Sequence, residues 1–507
     1  MMLLINPPVA KPGEPPAGIA KLSGALSAHG IRHLVLDANM EGLLFLLHKP
    51  QEKSDTWTNR ARRNIDKHLA SLKTTAIYRS IARYERAVMD INRVLEMSSA
   101  GSNAVVSLAN YQHLQLSPLR TSDLLHAAER PEENPYYSYF EHRLTQILEK
   151  DPITRVGFSL NYLSQALTAF AMIGFLRKRF PDTGIILGGG LVTSWMRSRI
   201  RENPFPGLVD RVIAGPGECE LLSMLGVNSD NQKHYRPSYD LLPLQDYLSP
   251  GIVLPYSGSS GCWWNKCSFC PERAEGNLYV PVPAEAVVDD LAWLTKEIQP
   301  GLIHLLDNSL PLEHMKAFIK QPPAAPWYGF ARVSKEFADQ DFCGELKQSG
   351  CVMLKLGLES GDQDVLDAMM KGMELETASK ALRALKQAGI GTYVYLIFGT
   401  PAETREAARK TLAFTAAHCD AIDFLNLAIF NMPAYGDEAR QFGTQHFYEG
   451  DLSLYTDFQH PQGWDRKLVR QFLDAEFKRH PAISPIVKHD PPFFGSNHAP
   501  FFVMERE

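Results

Sequence analysis

The chain has 507 residues, of which 45% are hydrophobic and 21% charged, with a formal net charge of −5. That length supports two to four domains. The charge balance gives no basic excess for nucleic acid and no polybasic stripe for a membrane surface, and no apolar run approaches a membrane span. The opening segment, "MMLLINPPVAKPGEPP", has no cationic start and is soon broken by prolines, so it does not read as a signal peptide. Three of the seven cysteines cluster, and Cys219, Cys343, Cys351 and Cys419 are scattered. This is no disulfide framework; it predicts a reducing cytoplasm and a metal site.

Residues 1–48 read as strand, helix, strand. "LLINPP" is a short apolar run, Ile19, Leu22 and Leu26 recur at helical spacing, Gly30 stands where a C-cap glycine belongs, and "HLVLDAN" is the second strand. From 49 to 150 the pattern is helix and loop without a convincing strand. Ile77, Ile81, Tyr84, Val88, Ile91 and Leu95 predict one long amphipathic helix, and "NPYYSYFEHRLTQILEK" a second. Alternation resumes at "RVGFSL", followed by a helix, "GIILGGG" and "RVIAGPGECELLSML". Strands alternating with helices predict a parallel sheet covered on both faces. Residues 1–228 are therefore expected to form one doubly wound, Rossmann-like α/β domain with a helical insertion at 49–150. The polar segment 229–250 reads as a linker.

A second α/β series occupies 251–430. "IVLPYS", "LIHLLDNS", "WYGFARVS", "VMLKLGLES", "GTYVYLIFGT" and "AIDFLNLAIF" read as strands separated by helices, which predicts a partial (β/α)6 barrel. Ligands on such folds bind at the C-terminal strand ends, where Asp307, Asn308, Arg332, Glu359, Ser360 and Gly399 fall. Residues 431–507 read as an irregular, aromatic C-terminal segment. "HDPPFFGSNHAPFF" within it is either a strap packed on the barrel through its phenylalanines or a mouth-closing piece, with the role of His498 open.

The stretch "SGSSGCWWNKCSFCPERAEGN" holds Cys262, Cys267 and Cys270 in a C-x4-C-x2-C spacing. A structural zinc site wants four ligands, usually in two pairs, and no fourth ligand is near. Three unconnected thiols would not cluster so tightly. Three thiolates suit a [4Fe–4S] cluster with one iron left open for a substrate or cofactor. Trp263 and Trp264 read as a cover for the cluster or as core.

At this point the sequence resembles the radical S-adenosylmethionine (SAM) superfamily, whose open iron chelates the amine and carboxylate of SAM. The usual spacing there is C-x3-C-x2-C, so this chain carries one extra residue, while Phe269 before the third cysteine matches. The resemblance extends through "LLDNS", "GFARVS", "GLESGDQDVLDAMMKG" and "YLIFGTPAET". It implies metal ligation by Cys262, Cys267 and Cys270, and SAM contacts from Phe269, Asp307, Asn308, Arg332, Glu359, Ser360, Ile397 and Gly399.

The N-terminal segments "LLINPP", "LVLDAN", "VGFSLNY", "LGGG" and "AGPGE" resemble the cobalamin-binding domain that precedes the barrel in one radical SAM class. That resemblance implies cobalamin contacts from Asn6, Ser159, Leu160, Asn161, Gly188, Gly189, Gly190, Gly217 and Glu218. Asn161 replaces the leucine of the usual Ser-x-Leu signature, and no cobalt-ligating histidine follows the first strand. The implied protein is a cytoplasmic cobalamin-dependent radical SAM C-methyltransferase using a [4Fe–4S] cluster, SAM and cobalamin, with a flavodoxin- or ferredoxin-type reductant and an unassigned substrate. The alternatives are ring formation or rearrangement without methyl transfer, and a non-catalytic iron–sulfur sensor.

Overall fold

The computed structural model describes residues 1–50, 55–197, 202–228, 233–445, 450–492 and 498–503. Among these, the chain divides into two compact units: 1–252 with 450–454 and 492, and 253–445 with 455–491 and 498–503.

The first unit is built on a parallel five-stranded sheet of β1 (Met2–Asn6), β2 (His33–Asp37), β3 (Arg155–Ser159), β4 (Gly184–Gly188) and β5 (Arg211–Val212). Their order is β2-β1-β3-β4-β5. Strand order reverses between β1 and β3, which opens a crevice at their C-terminal ends. The helix Ala17–Ala28 closes as its glycine predicts. Gly30 takes φ +64° and donates to Ser27 O, and Ile31 N returns to Leu26 O. The helix Leu163–Arg179 buries every residue from Gln165 to Leu176, because the sheet covers one side and the insertion the other. Its Gly174 meets the Ala128 backbone so closely that an added Cβ would lie 1.9 Å from Ala128 O. The insertion therefore works as a packing cover.

Several sequence expectations are refined here. Ile77 belongs to a separate turn, Thr75–Tyr78, because Ser80 is extended and starts the helix Ile81–Ser99 afresh. A small antiparallel hairpin, Ala104–Val106 with Tyr111–His113, stands where no strand was expected; its three-residue arms are too short to show alternation. The segment read as a linker packs within unit one: Tyr235, Tyr239, Tyr247 and Leu248 are buried, and Gly24 gives room for the Arg236 carbonyl.

The second unit has six parallel strands in simple sequence order: β6 (Val253–Tyr256), β7 (Leu302–Leu305), β8 (Trp327–Ala331), β9 (Cys351–Glu359), β10 (Gly391–Phe398) and β11 (Phe424–Ile429). Helices such as Ala284–Ile298, Leu375–Gln387 and Arg405–Ala417 return the chain between them. This is the open barrel the sequence predicts. Near the N-terminal strand ends Val253, Leu302, Tyr328, Val352, Met353, Tyr393 and Phe424 pack with Ala499 and Phe502. His498 lies 4.2 Å from the Tyr393 ring and its Nε2 donates to Asp490 Oδ1 at 2.9 Å. The final segment is thus a strap on the barrel floor, away from the strand ends where ligands bind. Phe493, Phe494 and Asn497 lie outside the described residues. Among the described residues, no helix is long and apolar enough to cross a membrane.

Candidate active site

The cysteine loop leaves β6 and is pinned at both ends. At its base, Ser259–Ser260 pairs antiparallel with Val280–Pro281. Gly261, at φ +71°, approaches Leu278 so closely that a Cβ would lie 2.4 Å from its carbonyl oxygen, so only glycine fits. Asp307, just beyond β7, is buried and accepts from Ser259 Oγ (2.5 Å) and Gly258 N (3.2 Å). Burial holds its carboxyl above the ordinary value. Asn308 Nδ2 donates to Gly261 O at 3.3 Å. Both residues therefore brace the loop that carries the thiols.

At its tip the loop is fastened to the segments after β7 and β9. Trp264 Nε1 donates to Met370 O (3.0 Å), Ser268 N to Met369 O (3.0 Å), and Trp263 Nε1 to Ser309 Oγ (3.1 Å). Cys262, Cys267 and Cys270 are all free thiols and half-buried. Burial raises the Cys267 thiol above its ordinary value and pushes Cys270 up to about 11. The thiols act electrostatically on one another, and Lys371 and Arg332 favour the Cys267 thiolate. Among the described residues, no three His, Cys, Asp or Glu side chains close around a single ion. A polynuclear cluster does not require that, since its irons occupy separate corners; three sulfur donors on one braced loop, beside two cations, fit it.

Glu359 ends β9 at φ +65°, a conformation unusual for a non-glycine residue. Its Oε1 accepts from the buried Lys371 Nζ at 2.7 Å, and that ammonium lies 5.8 Å from the Phe269 ring. Arg332, beyond β8, donates to Gly372 O and lies 4.0 Å over the Trp264 ring. Ser360 is fully buried, bonded to Thr411 Oγ1 and to Asp362 N. Ile397 is partly open on β10. Gly399, at φ +80°, donates to Glu403 and edges a cavity of about 730 Å³ lined also by Phe458, His460, Trp464, Arg466 and Arg470. The sequence reading passed over Lys371, Gly372 and Trp264's partners. The Lys-Gly pair closing "DAMMKG" was the available signal.

In the first unit, the strand-end residues form one hydrogen-bonded set. Gln165 Nε2 donates to Asn6 Oδ1 and Pro7 O, and its Oε1 accepts from Asn161 N and Tyr162 N. Asn161 Nδ2 reaches Ser159 Oγ (3.1 Å), and its Oδ1 accepts from Gly190 N (2.9 Å). Leu160 N donates to Gly188 O. Gly189, at φ +110°, is forced by the Leu160 backbone, whose oxygen would lie 2.4 Å from a Cβ. The sequence reading gave these glycines to a ligand's approach; at Gly189 the close neighbour is the chain itself. Gly188, Gly190 and Gly217 meet only ordinary contacts. Glu218 pairs with Lys21 at 3.7 Å. Lys11, in the loop after β1, is lowered by burial to about 8.

The second unit is thus a parallel half-barrel with three thiols on the loop after its first strand. Residues 256–415 match the Radical SAM superfamily. The chain is similar to an uncharacterized methyltransferase of Pyrococcus horikoshii, with 27% identity over 308 residues, covering 54% of this chain and 66% of that protein. It is also similar to the anaerobic magnesium-protoporphyrin IX monomethyl ester cyclase of Rubrivivax gelatinosus, at 25% identity over 344 residues, covering 59% and 60%. The matched part thus spans no more than about two thirds of either relative. In fold, the chain resembles the radical SAM methyltransferase TsrM of Kitasatospora setae, solved with tryptophan and a SAM analogue. That match has a TM-score of 0.56 and 16% identity and covers 97% of this chain and 89% of TsrM. The cobalamin-dependent radical SAM enzyme OxsB gives a TM-score of 0.51 at 15% identity, covering 66% and 60%.

Proposed function

We propose that the chain is a cobalamin-dependent radical SAM enzyme that transfers a methyl group to an unactivated carbon. The observation that carries this reading is the braced three-thiol loop after the first strand of a six-stranded parallel half-barrel. A β2-β1-β3-β4-β5 unit precedes it in the chain, and the fold resembles that of a radical SAM methyltransferase solved with cobalamin and a [4Fe–4S] cluster. Cys262, Cys267 and Cys270 would hold a [4Fe–4S] cluster with one iron left for SAM. Bound there, the cluster supplies one electron to SAM, and cobalamin carries the methyl group. Glu359, Asn308, Ile397 and Gly399 stand at the strand ends to receive SAM, while Asp307 and Ser360 act behind them through the loop and wall. In the first unit, Ser159, Asn161 and Gly188–Gly190 would shape the cobalamin crevice. The electron comes from a small carrier of the flavodoxin or ferredoxin type.

Ring closure without methyl transfer is the second reading, favoured by the cyclases among the relatives. Anaerobic turnover separates the two. Methyl transfer yields S-adenosylhomocysteine and 5′-deoxyadenosine in near-equal amounts. Ring closure yields 5′-deoxyadenosine alone, and that result would overturn the first reading.

A further inference from the structure

We propose that Trp264 and Arg332 form a clamp that fixes Cys267 and raises the reduction potential of the cluster held there. The inference rests on the cluster assignment above and concerns residues given no such role by it.

Trp264 belongs to the four-residue spacer between the first two cysteines, which is one residue longer than the usual spacing. Its half-buried indole is held by several contacts. Nε1 donates to Met370 O, the Arg332 guanidinium lies 4.0 Å from the ring centroid, and Lys266 Nζ lies 4.8 Å from it. Gly372, at φ +60°, gives the ring its space: a Cβ there would lie 2.3 Å from Trp264 Cζ2. Asn265 (φ +43°) and Met370 (φ +52°) are both left-handed non-glycine residues flanking this contact. Such conformations persist only where surrounding contacts over-determine them. The longer spacer is thus folded around one docked indole.

Arg332 links the clamp to the thiol. It donates to Gly372 O at 2.9 Å, stands over the indole between the first two cysteines, and its charge acts on Cys267. Reduction adds an electron to the cluster. A guanidinium held beside the cysteine loop stabilises that added charge, so it raises the potential. The indole face replaces water on the cation, which strengthens its field at the sulfur. Arg332 is on this account a tuning residue acting through Cys267.

The test uses the reconstituted full-length protein without SAM, with iron counted and the midpoint potential read by redox titration monitored by electron paramagnetic resonance. Arg332→Gln and Trp264→Ala should both move the potential to more negative values at full iron content. Arg332→Lys and Trp264→Phe should restore most of it. Trp264→Leu, which keeps bulk and loses the π face, should fall between and serves if Trp264→Ala does not fold. Loss of iron from natively folded Trp264→Ala also supports the clamp. A wild-type potential in Arg332→Gln, even with weakened SAM binding, overturns the proposal, because Arg332 would then act on SAM alone. A shift in Arg332→Gln with none in Trp264→Ala or Trp264→Leu overturns the clamp. Wild-type protein that takes up no iron sinks the cluster assignment instead.

Discussion

The strand ends of the two units treat their polar groups in opposite ways. In the first, Asn6, Asp37, Gln165, Asn161 and Ser159 satisfy one another, with Tyr247 closing the set on Asp37 at 2.5 Å. Their side chains are spent on holding turns, so what such a crevice offers a ligand is shape and backbone. In the second, three thiols gather beside Arg332 and Lys371, whose charges favour the Cys267 thiolate. Polar groups there are arranged toward something that brings negative charge. A large, shape-recognised cofactor suits the first end and an anionic iron–sulfur cluster the second.

The largest effect should come from removing the thiols. With Cys262, Cys267 and Cys270 all changed to alanine, anaerobically reconstituted iron should fall from about four per chain to near zero. The fold should survive, because the braces at Asp307 and Trp264 do not pass through the sulfurs. Iron and sulfide assays with a circular dichroism spectrum check both halves; retained iron would place the metal elsewhere.

The opposite unit should respond in stability. Asp37 caps the helix Ala38–His48 through Met40 N and also accepts from Asn6 and Tyr247. Asp37→Ala leaves these buried donors unmet, at a cost on the order of 3 kcal/mol. Urea denaturation should show the midpoint falling accordingly, with Tyr247→Phe costing about 1 kcal/mol. Equal stability in Asp37→Ala would mean the set is not the unit's brace.

A pH-dependent effect of similar size belongs to the barrel. Burial raises Glu403 from 4.5 to about 7, although Gly399 N and Trp464 Nε1 both donate to Oε2. Between those values the folded chain keeps a proton that the unfolded chain has lost. Stability therefore falls as pH rises from 4.5 to 7 and levels off above, by up to about 3 kcal/mol. Glu403→Gln mimics the protonated form and should remove that fall. Urea midpoints at pH 5 and pH 8 for the two proteins check it, and parallel curves would show that Glu403 does not titrate in this range.

The contrast between the units also explains what the sequence disclosed. All six barrel strands were legible because each is an apolar run ended by polar residues. The doubly wound sheet was legible from strand–helix alternation. What was hidden depends on partners distant in the chain. Nothing local says that Asp307 turns back onto Ser259, that Gly189 makes room for Leu160, or that Trp264 docks against Gly372, more than a hundred residues away. The segment at 229–250 looked like a linker because its tyrosines are spaced by polar residues. Burial came from the groove they fill and not from any periodicity of their own.

The smallest expected effect separates wall from site within a single pair of neighbours. Glu359 and Ser360 adjoin in sequence, and the resemblance assigned both to SAM. The Glu359 carboxylate meets one cation, Lys371, and retains acceptor capacity beside the thiol loop. The Ser360 hydroxyl is fully buried and spent on Thr411 and the Asp362 amide. Ser360→Ala should therefore cost about 1 kcal/mol of barrel stability, the worth of one hydrogen bond, and leave SAM affinity at the wild-type value. Glu359→Gln should weaken SAM binding while iron content stays full. Equilibrium dialysis of SAM with each reconstituted variant reads the difference. If Ser360→Ala lost affinity as Glu359→Gln does, the hydroxyl would have to turn from Thr411 toward the ligand, and the wall assignment would fail.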